Sequence, residues 1–123
     1  MHTTALVITL VACIAIIAIG GRFLLQPRQA TVAFGIAADN IRGLTAIKGV
    51  RDITSGLVLL VIWAAAGPGP LGWTLLAASL TPIADAAIVL TNGGKLSAAL
   101  GIHGLTAALL IAAGLVLALG ISV

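Results

Sequence analysis

The chain has 123 residues, of which 61% are hydrophobic and 7% charged, and six Lys and Arg against three Asp and Glu give a net charge of +3. Soluble domains are about 45–50% apolar and about 25% charged. The composition, with a mean hydropathy of +1.28, therefore excludes a soluble domain and predicts an integral membrane protein surrounded by lipid. The few scattered cations exclude nucleic acid as a partner. A single cysteine, Cys13, excludes an intramolecular disulfide.

Four apolar runs predict four transmembrane helices. The first stops before Pro27; a cleaved signal peptide is the alternative, but the positively charged start of such peptides is missing. The second is clear from Gly56 onward and extends back only if the helix carries charged residues into the membrane. Strand alternation typical of a membrane barrel is not visible. We expect an all-α, antiparallel four-transmembrane-helix bundle forming one domain, residues 1–123, with helices over about 3–25, 44–66, 71–91 and 96–121.

The distribution of cations predicts the orientation. Lys and Arg residues lie in or beside the first and third connections, whereas the turn Gly67–Pro70 carries none. By the positive-inside rule, those connections are cytoplasmic and both termini lie outside the cell membrane. Trp63 and Trp73 flank the uncharged turn, as aromatic residues at a membrane surface do.

Ionisable residues inside the predicted spans are costly in lipid and indicate a site. At a rise of about 1.5 Å per residue, Asp85 lies about 18 Å from Trp73 and Asp52 about 17 Å from Trp63. His103 lies about 12 Å inward from the third connection by the same rise. Three helices therefore place ionisable groups in one layer, in the cytoplasmic half of the membrane.

Asp85 and His103 are the predicted catalytic pair, because a carboxylate beside an imidazole suits general acid/base chemistry near neutral pH. Arg51 is permanently charged and is the expected partner of Asp85 or Asp52. Pro82 removes a helical hydrogen bond near Thr81, which adds acceptors to the layer. The residues expected to bind or orient a ligand are Arg51, Asp52, Arg22, Lys48, Ser55 and Thr81.

Other interpretations of these residues stay open. The Asp, Arg and His side chains can instead neutralise one another and hold the helices in register. Arg22 can be a lipid anchor rather than a pocket residue. Without a Cys/His cluster or a glycine-rich phosphate loop, the sequence predicts no metal and no cofactor. A lone intramembrane His can ligate a haem, but a second axial ligand is not in sight.

Small residues at four-residue spacing on the fourth helix predict close contact between helices. The spacing runs through Gly104, Ala108 and Ala112, with Gly101 nearby. Since four Ala- and Gly-rich helices enclose little volume alone, we expect a homo-oligomer. Asp39-Asn40 is read as a turn or helix N-cap before the segment that starts at Ile41.

An ordered series of residues runs along the chain: Gly21-Arg22-Phe23, Pro27, Gly35, Lys48-Gly49-Val50-Arg51-Asp52, Gly56, Gly72-Trp73, Asp85, Gly93-Gly94-Lys95 and His103-Gly104. This series resembles a bacterial and fungal family of small four-helix integral membrane proteins catalogued as a domain of unknown function, and more loosely the DoxX-type proteins. The resemblance covers nearly the whole chain and implies the four-helix fold and a site at Arg22, Arg51, Asp52, Asp85 and His103. Small multidrug exporters have a similar size, but the acidic residue of their first helix is absent from residues 3–20.

Three functions are consistent with these features. The first is binding, or acid/base rearrangement of the isomerase or cyclase type, of a lipophilic small molecule that enters from the bilayer. The second is proton-coupled transport of a small molecule. The third is a structural or accessory membrane subunit whose polar layer specifies assembly. An enzymatic activity is thus one of the open alternatives.

Overall fold

The computed structural model describes the backbone of residues 2–122 and the side chains in that range except those at 2, 5, 8, 12 and 13, so the side chains of His2 and Cys13 lie outside it. All the secondary-structure elements of residues 2–122 are helices, which confirms the all-α prediction. The helices are α1 (His2–Leu25), α2 (Pro27–Phe34), α3 (Ile41–Ala66), α4 (Pro68–Ala78), α5 (Leu80–Thr91), α6 (Leu96–Ala98) and α7 (Leu105–Leu119), with a π-helical segment (Ala99–Gly104) before α7.

Three helical stretches are long and apolar enough to cross a membrane, namely Ile41–Ala66, Pro68–Thr91 and Leu96–Leu119. In α1 the apolar stretch Thr9–Leu25 is shorter. Large hydrophobic side chains stay exposed along these helices, for example Ile53 at 67% and Leu109 at 62%. An apolar surface of this extent is typical of a protein that lies in lipid. The three long apolar helices and the exposed apolar surface support the prediction of a membrane protein. The first predicted span, over about residues 3–25, stays a prediction.

Helix α3 begins at Ile41. The second predicted helix therefore extends back beyond Gly56 and contains the charged residues Lys48, Arg51 and Asp52. The Oδ1 atom of Asn40 accepts a hydrogen bond from the Gly43 backbone N–H at 2.8 Å. This bond satisfies one of the amides that have no partner inside the first helical turn. The predicted N-cap at Asn40 is therefore confirmed.

The chain separates into two compact units, Met1–Val50 and Arg51–Val123, and each is described by itself. The single-domain arrangement stays a prediction. In the first unit, α1 ends and the chain turns into α2, a helix that the prediction missed because Pro27 was read only as a stop. Proline also favours the first position of a helix, where its missing N–H has no partner to lose. Gly35 ends α2 with a φ of +109°, a conformation that glycine adopts without strain.

The corner between α1 and α2 comprises residues 19–38. The rings of Phe23 on α1 and Phe34 on α2 meet edge to face, with centroids 6.2 Å apart. Within α2 the Thr31 hydroxyl donates to the Pro27 carbonyl at 2.7 Å, and Ala30 and Thr31 are buried. The ring contact therefore joins the two helices, and the hydroxyl bond supports the first turn of α2.

In the second unit, α4 packs on α7 through glycine. A Cβ atom on Gly72 would overlap the backbone nitrogen of Ala118 and would lie 2.8 Å from the Gly114 carbonyl oxygen. A Cβ atom on Gly114 would lie 2.9 Å from Cγ of Leu76. In lipid, association depends on such close backbone approach, because apolar side chains gain little by leaving the acyl chains. The facing glycines thus form the tightest part of this contact.

The packed face of α7 differs from the predicted small-residue face. Ala107 and Gly114 are buried against the second unit, whereas Ala108 and Ala112 are exposed. A Cβ atom on Gly101 would meet open space. Two residues of the predicted face, Ala108 and Ala112, are therefore exposed, Gly104 is partly buried, and the use of this face in assembly stays a prediction.

Candidate functional site

Asp85 and His103 lie next to each other on neighbouring helical stretches. His103 Nδ1 is 3.8 Å from Asp85 Oδ2, and the two side chains are 27% and 31% exposed. This distance is within ion-pair range and longer than a hydrogen bond. Catalytic contacts are often loose without a ligand and tighten when one binds. The structure thus brings together the two residues that the sequence analysis proposed as a catalytic pair.

A local irregularity in the third predicted helix precedes Asp85. Helices α4 and α5 meet at Ser79, where the backbone stays in the right-handed helical region and the Ser79 N–H donates to the Leu75 carbonyl at 2.9 Å. Ser79 and Pro82 are buried, and Pro82 has no N–H for the carbonyl four residues earlier. The Ser79 hydroxyl also donates to the Leu76 carbonyl at 2.7 Å. One turn later α5 presents Asp85.

His103 belongs to the π-helical segment. A π-helical turn spaces its hydrogen bonds five residues apart, is rare, and occurs most often at functional sites. The Thr106 hydroxyl donates to the Ile102 carbonyl at 2.6 Å, and Ala99 is fully buried at the start of the segment. His103 therefore lies on a widened helical turn. The first residue of this turn, Ala99, is buried, and the carbonyl of Ile102 accepts a hydrogen bond from Thr106.

The polar residues of α3 are placed differently. Arg51, Asp52 and Ser55 are exposed, and no described residue of α3 is buried. The Ser55 hydroxyl donates to the Arg51 backbone carbonyl at 2.8 Å. The ion pair that the structure gives Asp85 is with His103. A bond from the Arg51 guanidinium to Asp85 or Asp52 therefore stays a prediction.

The remaining predicted site residues lie at three separate places in the chain. Thr81 is exposed on α5, one turn before Asp85. Lys48 is exposed on α3 in the first unit, and Arg22 is exposed near the end of α1. Their grouping with the Asp85–His103 pair stays a prediction.

Sequence reasoning missed two hydroxyl groups that bond the backbone of the helices carrying the pair. Ser79 and Thr106 each bond a nearby backbone carbonyl, a role that many helical Ser and Thr residues fill. A π-helical turn has no sequence signature among the usual helix signals. The glycines at 72 and 114 could have been found as small residues on two predicted spans, but nothing in the sequence says that they face each other.

The arrangement is suited to proton transfer. Nδ1 is the ring nitrogen that faces the carboxylate, and Nε2 takes no part in this ion pair. A carboxylate beside an imidazole is the arrangement that general acid/base catalysis uses near neutral pH. Both side chains are partly exposed, so a ligand could reach them.

The comparisons with known proteins give one match. The family model described as Domain of unknown function (DUF4267) matches residues 13–117, which include both members of the pair. No curated protein and no solved structure matches the chain.

Proposed function

The chain belongs to the DUF4267 family, and we propose that it is a four-span membrane protein whose Asp85–His103 pair binds, and rearranges by proton transfer, a lipophilic small molecule. The observation that carries the proposal is the 3.8 Å approach of these two side chains between spanning helices, with both still partly exposed. A purely structural ion pair gains most when it is closed and fully bonded. A partly open pair can still accept a ligand.

The proposed chemistry needs no cofactor. His103 takes a proton from a carbon or hydroxyl of the ligand through Nε2 and becomes an imidazolium. Asp85 stabilises that cation. Return of the proton to a different atom of the ligand completes an isomerisation or starts a cyclisation. Protons and electrons balance without an oxidant or reductant.

Native mass spectrometry of the protein in mild detergent tests the proposal directly. We expect a small lipophilic molecule to stay bound, at one copy or fewer per chain, and to appear in an organic extract of the purified protein. A protein that retains only the phospholipids and detergent found with an unrelated membrane protein would contradict a dedicated pocket.

Proton-coupled transport is the second candidate, and the local irregularities of two helices favour it. Helices that line a site in a membrane tolerate local departures from α-helical bonding, and here Ser79 and the π-helical segment lie on the two stretches that carry the pair. Reconstituted vesicles with a trapped pH dye distinguish the candidates. Ligand-dependent proton flux supports transport, whereas ligand conversion without flux supports the isomerase.

The proposed topology places four spans with both termini outside. Trp63 and Trp73, at 57% and 60% exposed, fit an outer surface. Replacing exposed Ser97 or Ser122 with cysteine changes one atom at each site, in a background that lacks Cys13. We expect an impermeant thiol reagent to label Ser122→Cys from outside intact cells and Ser97→Cys only after permeabilisation. Labelling of Ser97→Cys in intact cells would overturn the orientation.

The proposed homo-oligomer uses the small-residue face of α7. Ala108→Leu and Ala112→Leu add bulk to exposed positions of that face and are expected to weaken or split the assembly. Gly104→Leu is a less clean change, because its side chain would start 3.5 Å from the Ala99 carbonyl oxygen. Subunit number in detergent is the measurement, with exposed Ala113→Leu as the control. An unchanged subunit number in all variants would contradict this face as the contact.

A further inference from the structure

Two hollows adjoin at the corner between α1 and α2. One is a half-open cavity of about 240 Å³ lined by Ile19, Phe23 and Phe34 together with Arg22 and Ala33. The other is an open groove of about 580 Å³ lined by Arg22, Arg28 and Ala33 among others. Arg22 and Ala33 line both hollows, so the two adjoin at this corner and are together called the depression. Its apolar end is the cavity beside Phe23 and Phe34, and its basic end is the groove that Arg28 also lines.

The basic end has charge available for a ligand. Arg22 and Arg28 are both exposed, and within the described residues neither guanidinium is paired with a carboxylate. Gln29 adds an amide to the groove. Guanidinium groups hold phosphate oxygens through two parallel N–H bonds, so two of them suit a phosphate diester.

The proposed topology places this corner where such a ligand is found. Arg22 lies in the last turn of α1, near the end of the apolar stretch Thr9–Leu25, where a basic side chain reaches the headgroup region of a membrane. Helix α2 has eight residues, too few to span, and the rings of Phe23 and Phe34 join it to α1. With α1 spanning as proposed, the depression lies at the level where lipid headgroups meet acyl chains.

We propose that this corner is a binding site for an anionic phospholipid, with the headgroup phosphate between Arg22 and Arg28 and the start of an acyl chain in the cavity beside Phe23 and Phe34. The site is independent of the function proposed for Asp85 and His103. Tight binding requires both the phosphate and the acyl chain of the lipid. A phosphate alone would leave the cavity beside Phe23 and Phe34 empty, and an acyl chain alone would leave Arg22 and Arg28 without an anion.

Lipid titration followed by native mass spectrometry tests the site. Dioleoylphosphatidylglycerol and dioleoylphosphatidylcholine are added separately to the full chain in detergent. We expect the anionic lipid to bind at a concentration at least about tenfold lower, and the Arg22→Gln/Arg28→Gln variant to lose that advantage. The matched control, Arg42→Gln/Lys95→Gln, removes the same charge at exposed positions outside both hollows and should keep it.

Two further variants separate this site from simpler explanations. Arg22→Lys/Arg28→Lys keeps the charge but loses the two parallel N–H bonds of each guanidinium, so we expect binding between that of the wild type and that of the Gln pair. Retention of part of the binding shows that the doubly substituted chain still folds. Ala33→Leu fills the depression without changing charge, and we expect it to weaken binding of the anionic lipid. Equal losses in the two Gln pairs would show only a net-charge effect and overturn the proposal. Displacement of the lipid by millimolar inorganic phosphate, with no effect of Ala33→Leu, would overturn it in favour of a bare phosphate site.

Discussion

Gly72→Ala is expected to destabilise the second unit by about 3 kcal/mol, near the upper end of the usual cost of overpacking. The new methyl group would meet the backbone of Ala118 and Gly114, and backbone atoms of two packed helices cannot move aside as a flexible side chain can. The free energy of unfolding, measured by SDS titration in micelles, should fall accordingly.

Substitutions of two other glycines show how much of the expected loss of stability comes from the close contact at Gly72. Gly114→Ala should cost less, because its new methyl group would lie 2.9 Å from Leu76 Cγ and 3.0 Å from the Gly72 carbonyl oxygen, whereas that of Gly72→Ala would overlap the Ala118 backbone. Gly56→Ala is the matched control, since nothing lies within 4 Å of its Cβ position and alanine favours a helix by up to about 1 kcal/mol over glycine. If Gly72→Ala unfolds like the Gly56→Ala variant, α4 and α7 do not approach as closely as the structure has them.

Asp85→Asn and His103→Gln are expected to abolish binding of the co-purifying ligand while leaving thermal unfolding within a few degrees of the wild type. The amide keeps the shape of the carboxylate but cannot stabilise an imidazolium. Stability is retained because the ion pair of Asp85 is with a histidine, which can be neutral, so that the Asn variant leaves no permanent charge unmatched. The measurement compares bound ligand by native mass spectrometry with melting of the same samples.

The structural alternative predicts the opposite outcome. If the pair mainly holds the helices together, breaking it costs on the order of 3–5 kcal/mol, and both variants should melt far below the wild type. Asp39→Asn is the control, because it removes the same charge from an exposed loop residue outside the site. Collapse of both site variants with an intact control would contradict the ligand pocket.

The fold was predictable where the signal is local. Hydropathy identified the long helices, and the Asn40 cap was visible as a side chain suited to the first turn. Helix α2 also had local signals, with proline at its start and glycine after its end. The irregularity at Ser79 and the π-helical segment had weaker sequence signals. Both depend on which donors the backbone carbonyls bond after the helices have packed.

The candidate site was predictable only in part. Depth along a helix follows from residue number, so Asp85 and His103 were expected at one level, and they are in contact. Depth says nothing about direction around the helix axis. For this reason the sequence could not decide between Arg51 and His103 as the partner of Asp85, nor which small residues of α7 face α4.

The turn between α5 and α6 has a consequence for how the chain folds. Only Asn92–Lys95 separates two helical stretches that then run back along each other, so closing the loop costs little entropy. Asp85 and His103 lie near this turn, whereas Gly72 and Gly114 meet at the distant end. During insertion we expect the hairpin to close from the turn outward, so that the carboxylate meets the imidazole before the glycines lock. The pair would then shield its own charge early, and the same two residues would serve assembly first and chemistry afterwards.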